Sequence, residues 1–469
     1  MANSSTPRPS LISLDFDILL SIFAGLDTQD VIRVGMTCRT LYELTKERRI
    51  WWDQTQDWYK KNPVLKHASS WLDPSPVENL RDFAVRQSKL RSYWGQEYEP
   101  AKRYTSYDGF PRYARAWLMP GGTAILLVSI QGSAALHRIP PPGTQPSIEA
   151  VPFATHQVEP SLHDHVSWVR FLPAVSPYPV FACTKGPRLY LLSIDYEHGR
   201  ICPEKIVLPI AQPIVSVVRG QGRVLIVLPT QPLATSEHET TMVAVHLDYP
   251  ETTLEIRLPT PPVGGSPIFD ICLPCPGVVV AYLHRTNSIF LYKLPDFSTL
   301  RPGVNTLREA PHLITQLTDG QCQPQIACFG ADIYDQGLAP YFHLHFGCTS
   351  DCGDILLTLR VDSSTAGFAV TEVSQLFLTL ERRHSDAGEG VLFFSHPRLN
   401  TSEVSWLHII PVSEPGWDEW RRALIFRLPA KLPLGAAPEL DFDLISGRLL
   451  FTHRNGHHDG LCVYIAEIT

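Results

Sequence analysis

From about residue 110 onward, short apolar runs recur in pairs, and this periodicity restricts the fold more than any other feature of the sequence. The first members read AILLVSI at 124, YPVFACT at 178, RVLIVLP at 223, GVVVAYL at 277, PYFHLHF at 340, VSWLHII at 404 and GRLLFTH at 447. The second members read AALHRIP at 134, LYLLSID at 189, MVAVHLD at 242, IFLYKLP at 289, ILLTLRV at 355, ALIFRLP at 423 and LCVYIAE at 461. Their spacing of roughly 45 to 65 residues is that of a propeller blade with three or four strands. Such a unit cannot bury its apolar faces alone, and a closed ring buries them against neighbours while protecting the sheet edges.

We therefore expect a mainly β chain whose residues 99–469 form a β-propeller-like domain of seven blades. The ring closes if residues near 100 to 117 lend a strand to the last unit. Six blades with an irregular insert, or a sandwich of paired sheets, satisfy the same pattern. No unit carries the Gly-His or Trp-Asp signature of WD-type repeats. Composition agrees with many short strands and turns: the 469 residues include 41 Pro and 29 Gly, and only 19% are charged.

The N-terminal part reads differently. Residues 1–10, MANSSTPRPS, are polar and expected to be disordered. Beyond Leu14, apolar residues occupy the row Ile18, Ile22, Leu26 and the neighbouring row Phe16, Leu19, Leu20, Phe23. Two apolar rows on one helix mean burial on two sides. Asp27 or Thr28 can cap a second helix, with Asp30 near its positive end and Val31, Val34 and Cys38 facing inward. A third helix begins near Thr37. Three helices in some forty residues bury too little surface to be secure alone, so the second apolar side needs a neighbour.

These residues resemble the F-box pattern of Leu-Pro-x-Glu-Ile-Leu, Ile-Phe, Leu, Asp-Leu and Val-Cys-Arg. Leu14, Ile18, Leu19, Ile22, Phe23, Leu26, Asp30, Cys38 and Arg39 match in register, and Trp51 fits the closing Leu-Trp position. Asp15 stands for the family proline, Asp17 for its glutamate and Leu41 for its later tryptophan. The resemblance covers about a tenth of the chain and implies a three-helix module at 11–52 that docks onto a Skp-family adaptor. Leu14, Ile18, Leu19, Ile22, Phe23, Leu26, Val31 and Cys38 are the adaptor-binding residues it implies. Through the adaptor the chain would join a cullin scaffold within an SCF-type ubiquitin ligase, with the β domain holding an unidentified target protein.

Residues 53–98 read as a helical linker. It contains Trp58, Tyr59 and Trp71, is broken by Pro63 and Pro74, and ends in a helix opened by Pro76. Val77, Leu80, Ala84, Leu90 and Trp94 form its stripe and Gly95 its stop. A Trp-ended helix here resembles the region that follows the F-box in many fungal F-box proteins.

The remaining chemistry is sparse. A formal net charge of -7 gives no basic field for a phosphate backbone, so nucleic acid is not an expected partner. The longest apolar runs are far too short to span a bilayer, and no export signal is recognisable. Ten cysteines without framework spacing fit reduced thiols in cytosol or nucleus. His343, His345, Cys348 and Cys352 are competent zinc ligands, yet the two histidines alternate as strand residues, and no metal or cofactor is expected. CLPC at 272–275 has redox spacing without the helix start that activates a thiolate. HRNGHHDG at 453–460 reads as a hairpin, and ERRHSDAGEG at 381–390 as an exposed connection. No phosphate loop, dinucleotide fingerprint or nucleophile elbow occurs, and no catalytic role is expected. The competing functional readings are a propeller enzyme or carbohydrate-binding protein whose helices only pack, and an F-box scaffold outside a ligase.

Overall fold

The computed structural model describes residues 11–61, residues 76–93 and, between 97 and 467, the strands with many of their turns. The sequence readings at residues 1–10, Trp71, Trp94 and Gly95 lie outside the described residues.

Among the described residues, five α-helices come first: α1 (Phe16–Ala24), α2 (Thr28–Gly35), α3 (Arg39–Leu44), α4 (Arg48–Lys61) and α5 (Val77–Tyr93). The expected division between module and linker at 52–53 falls inside α4. The strands that follow form seven sheets in chain order. The first spans Arg115–Leu118, Ala124–Val128, Ser133–Arg138 and Ala154–Gln157, and every neighbouring pair in it is antiparallel. The second runs from Trp168 to Val207, the third from Ile214 to Arg257, the fourth from Phe269 to Gln316, the fifth from Gln325 to Leu378 and the sixth from His384 to Arg427.

The seventh sheet contains Glu439–Asp443, Arg448–Asn455 and Gly460–Glu467, and Tyr104–Phe110 completes it by pairing antiparallel with Gly460–Glu467. The expected closing strand is therefore present.

The first strands of the second to seventh sheets pack successively against one another, and Glu439–Asp443 of the seventh packs against Arg115–Leu118 of the first. Arg115 donates to the Trp168 carbonyl at 3.5 Å, linking the first two sheets. A ring with the first strands innermost follows, the architecture of a propeller and not of a sandwich.

The buried residues explain why the second strands are continuous apolar runs. Leu126, Val128 and Leu136 of the first sheet pack with Phe181, Tyr190 and Leu192 of the second. Their neighbours Ile125 and Leu127 point the other way, into a wedge with Leu450, Val463 and Ile465 of the seventh. Ala182, Leu189 and Leu191 of the second likewise meet Leu225, Val227 and Val243 of the third, while Ile226 and Ala244 meet Val279 and Ala281 of the fourth. Both faces are covered, so alternation disappears. The third strands share this burial, as in Thr241–His246, whereas alternation survives in the outer strand Ala154–Gln157.

Three features depart from the sequence reading. In the sixth sheet VSWLHII supplies the third strand, Ser405–Pro411, because Val391–Pro397 takes the second place. His384–Gly388, read as part of a connection, is that sheet's first strand. Two sheets also gain a fifth strand, each parallel to its neighbour: Gly303–Thr306 on the third and Glu97–Tyr98 on the sixth.

At the ring seam lies a buried ion pair. Arg448 is 0% exposed, its Nε donates to Glu467 Oε1 at 2.9 Å, and its Nη1 donates to the Gly122 carbonyl. Gly122 has φ +64°, and a Cβ there would strike Ser446 and Arg448. Asp441 Oδ2 accepts from the Leu118 N–H at 2.7 Å, a second polar tie between the seventh and first sheets.

Candidate functional site

The helical module is built around Leu19, Leu20 and Phe23 of α1, Val31 of α2, Leu41 and Leu44 of α3 and Ile50 and Trp51 of α4, all buried. Asp27 caps α2 by accepting from the Asp30 N–H at 2.8 Å. Cys38 occupies the cap position of α3. Gln54 of α4 ties the α1–α2 turn: its Nε2 donates to the Leu26 carbonyl at 2.7 Å and its Oε1 accepts from Thr28 Oγ1 at 3.0 Å. The Trp51 indole donates to the Thr45 carbonyl at 2.6 Å. Gly35 permits close approach, since a Cβ there would lie 2.7 Å from Thr45 Cγ2.

α5 supplies the neighbour that the module needs on one side. Its Leu80, Phe83, Ala84, Gln87 and Leu90 are buried, and it packs against α4 and α2. The stripe agrees with the sequence reading except that Phe83 and Gln87 join it and Val77 is only half-buried.

The other side stays open. Phe16, Ile18 and Ile22 of α1 are 52%, 47% and 37% exposed, and Leu11 and Ile12 of the preceding turn are exposed too. Met36, at the end of α2, and Tyr42 of α3 extend the exposed apolar set. The row Ile18, Ile22, Leu26 thus faces outward, with Leu26 half-buried, while Leu19, Leu20 and Phe23 face the core. Phe16 parts from Leu19, Leu20 and Phe23, with which it shares a row, because it sits in the first turn, ahead of the packed part of the helix.

Among the eight residues singled out from the sequence, Ile18, Ile22 and Cys38 are exposed, Leu14 and Leu26 are half-buried, and Leu19, Phe23 and Val31 are enclosed within the module. The three enclosed side chains shape the open face from beneath. Cys38, read as inward-facing, is exposed because it precedes the first turn of α3. Leu11, Ile12, Met36 and Tyr42 went unnoticed in the sequence. For Leu11, Ile12 and Met36 the signal is apolar character beside polar neighbours at the ends of helices, and Tyr42 lies on the outward side of α3.

Two local ion pairs lie on the module. Arg33 pairs with Asp30 at 3.0 Å and Lys46 with Glu43 at 2.8 Å, and the Lys46 hydrogen bond holds the Glu43 carboxyl below its ordinary value. Asp15 occupies the N-cap position of α1 without a side-chain capping bond.

Residues 16–56 match the family model described as F-box-like. They form an F-box-like domain. No curated protein matches the sequence. Among solved structures, the β-propeller domain of Myceliophteria thermophila Cps50 (Swd1) is similar at 10% identity and a TM-score of 0.42, covering 78% of this chain and 98% of that one. The WD40 domain of SCAP from fission yeast is similar at 9% identity and a TM-score of 0.42, covering 76% and 82%. The ring itself rests on the strand pairing and packing described above. The F-box-like domain precedes the propeller-like ring in the chain.

The other sequence candidates fall as follows. His343 and His345 lie in the strand Tyr341–Gly347, and Cys348 and Cys352 lie outside the described residues. Cys272 and Cys275 lie in the strand Phe269–Cys275, opposite Val280 and Val278. His453 lies in a strand, and His457, His458 and Asp459 lie outside the described residues. Among the described residues no group of three or more His, Cys, Asp or Glu is arranged to hold a metal.

Proposed function

We propose that this protein is the substrate-recognition subunit of an SCF-type cullin–RING ubiquitin ligase, acting in cytosol or nucleus. The F-box-like domain holds a Skp-family adaptor, and through it cullin, while the propeller-like ring holds a target protein. The chain performs no bond chemistry of its own. Its contribution is proximity, a raised effective concentration of target lysines near the charged conjugating enzyme.

One observation carries the reading. Of the eleven exposed large hydrophobic side chains among the described residues, seven lie between Leu11 and Tyr42: Leu11, Ile12, Phe16, Ile18, Ile22, Met36 and Tyr42. An apolar set concentrated on an already folded helical module is a protein-docking surface, since scattered exposure needs no partner but clustering does. Phe16, Ile18 and Ile22 make the direct contacts, Leu14 and Leu26 their rim, and Cys38 the edge at α3. Leu19, Phe23 and Val31 hold the helices in place from inside.

Reconstitution tests it. The full chain mixed with a Skp-family adaptor, cullin and RING subunit is expected to co-migrate as one complex and to promote ubiquitin transfer to proteins captured by the ring. Co-migration without cullin recruitment favours the scaffold reading. Failure to bind the adaptor overturns the proposal.

A further inference from the structure

Between the third and fourth strands of the fourth sheet the chain makes an excursion, Leu294–Leu307, that returns to the third sheet. There Gly303–Thr306 pairs parallel with the outer strand Thr252–Arg257. The Gly303 N–H donates to the Glu251 carbonyl at 2.7 Å and the Leu307 N–H to the Glu255 carbonyl at 2.8 Å. Leu294 and Phe297 are buried in the wedge between the third and fourth sheets, with Leu300 and Leu307 packed on it. The excursion therefore fastens two adjacent sheets together from outside.

Its anchor rests on a histidine. The His246 ring lies between Phe297, at a centroid distance of 5.4 Å, and Tyr249, at 5.2 Å. Nδ1 of His246 accepts from the Asp248 N–H at 3.2 Å, which fixes the neutral tautomer with its proton on Nε2. The Asp248 carboxylate is engaged by Arg223 and stands 3.9 Å from Nδ1. Asp296, beside Phe297, accepts from the Ser298 N–H at 2.9 Å.

We propose that Leu294–Leu307 is a proton-sensitive fastener, released when His246 takes up a proton at Nδ1. Protonation turns an acceptor into a donor that repels the Asp248 N–H, and the acceptor then within reach is the Asp248 carboxylate, 3.9 Å from Nδ1, so the ring turns toward it or the 246–249 bend opens. Either movement disturbs the surface on which Phe297 sits. Loss of Phe297 frees Gly303–Thr306 and uncovers the outer edge of Thr252–Arg257. The charged surroundings are mixed: burial holds the imidazole below its ordinary value, Asp248 opposes this, Arg223 reinforces it, and Asp296 opposes it. With the fastened form binding its proton more weakly than the open form, fastening is complete at neutral pH and weakens as pH falls through the ordinary histidine value of about 6.5.

Hydrogen exchange of the full chain at pH 7.5 and 5.5, corrected for the intrinsic pH dependence of exchange, reads the opening at Gly303 and Leu307. A several-fold rise in opening at pH 5.5 is expected, capped at about tenfold because an open-state histidine is then about ten parts protonated to one neutral. His246→Phe keeps an aromatic ring but cannot be protonated, and should abolish the pH-dependent part. His246→Gln, neutral and able to accept from Asp248, serves if the Phe variant does not fold. PH-independent opening in the unmodified protein, or an equal pH response in a folded variant, overturns the proposal.

Discussion

Replacing Ile22 by aspartate separates docking from folding. Ile22 is 37% exposed, so its side chain is only partly committed to the module, and the variant should keep its helices. Complete burial of an isoleucine is worth roughly 1.5–3 kcal/mol. Covering the exposed share of Ile22 therefore contributes about 0.5–1 kcal/mol to adaptor binding. Ile22→Ala should accordingly weaken binding by roughly two- to fivefold. Ile22→Asp adds the cost of burying an unpaired carboxylate, about 3–5 kcal/mol, for a loss of more than roughly a hundredfold. Calorimetric titration of the purified chain with a Skp-family adaptor measures both, and circular dichroism verifies that the helices persist. Phe23→Asp, by contrast, places a charge in the module core and should unfold it. The reasoning is refuted if folded Ile22→Asp binds the adaptor as tightly as the unmodified chain, or if the alanine and aspartate variants lose equally.

Further expectations concern stability and reactivity. Asp27→Ala removes the cap of α2 and should cost about 1 kcal/mol, seen as a lower thermal midpoint for the helical signal. Arg448→Met removes the buried ion pair with Glu467 and should destabilise the ring by about 3–5 kcal/mol, whereas the double variant with Glu467→Leu should recover much of the loss in denaturant titrations. Cys38 and Cys202 are exposed while Cys183 is buried, and burial pushes the Cys183 thiol upward. Alkylation of the native protein followed by mass spectrometry should therefore modify the first two and spare Cys183 until denaturant is added.

What could be read in advance follows the reach of each interaction. The cap at Asp27 and the apolar rows of α1 arise within a few residues, and the local sequence displays them. The strand pairs were visible because each central strand is buried on both faces, which demands an unbroken apolar run such as AILLV. The outer strands were less legible, since one side meets solvent and their residues are mixed. The sixth sheet was misregistered for a related reason: its first strand, His384–Gly388, looks like a polar connection, which hid VLFFSHP beside it. Arg448 with Glu467 and the Gly122 carbonyl joins residues far apart in sequence, and no local spacing signals such a partnership. The excursion at Leu294–Leu307 was missed likewise, because its parallel strand of four residues carries almost no pattern. Which half of the α1 apolar surface is open required the position of α4, the element against which α1 packs.

Among the described residues, the strand Tyr104–Phe110 pairs with Gly460–Glu467, near the other end of the sequence. At roughly 5–20 residues per second, translation of the intervening chain takes on the order of 20–70 s. Throughout that interval the helical module, made first, has all its residues and can fold, while the ring stands open at one gap. On the proposed function, a nascent or prematurely terminated chain would thus present the exposed apolar face of the helices without a finished ring, occupying adaptor while holding no target. The order of synthesis sets a period during which such unproductive partnership competes with completion, and slow translation of the last sheet would lengthen it.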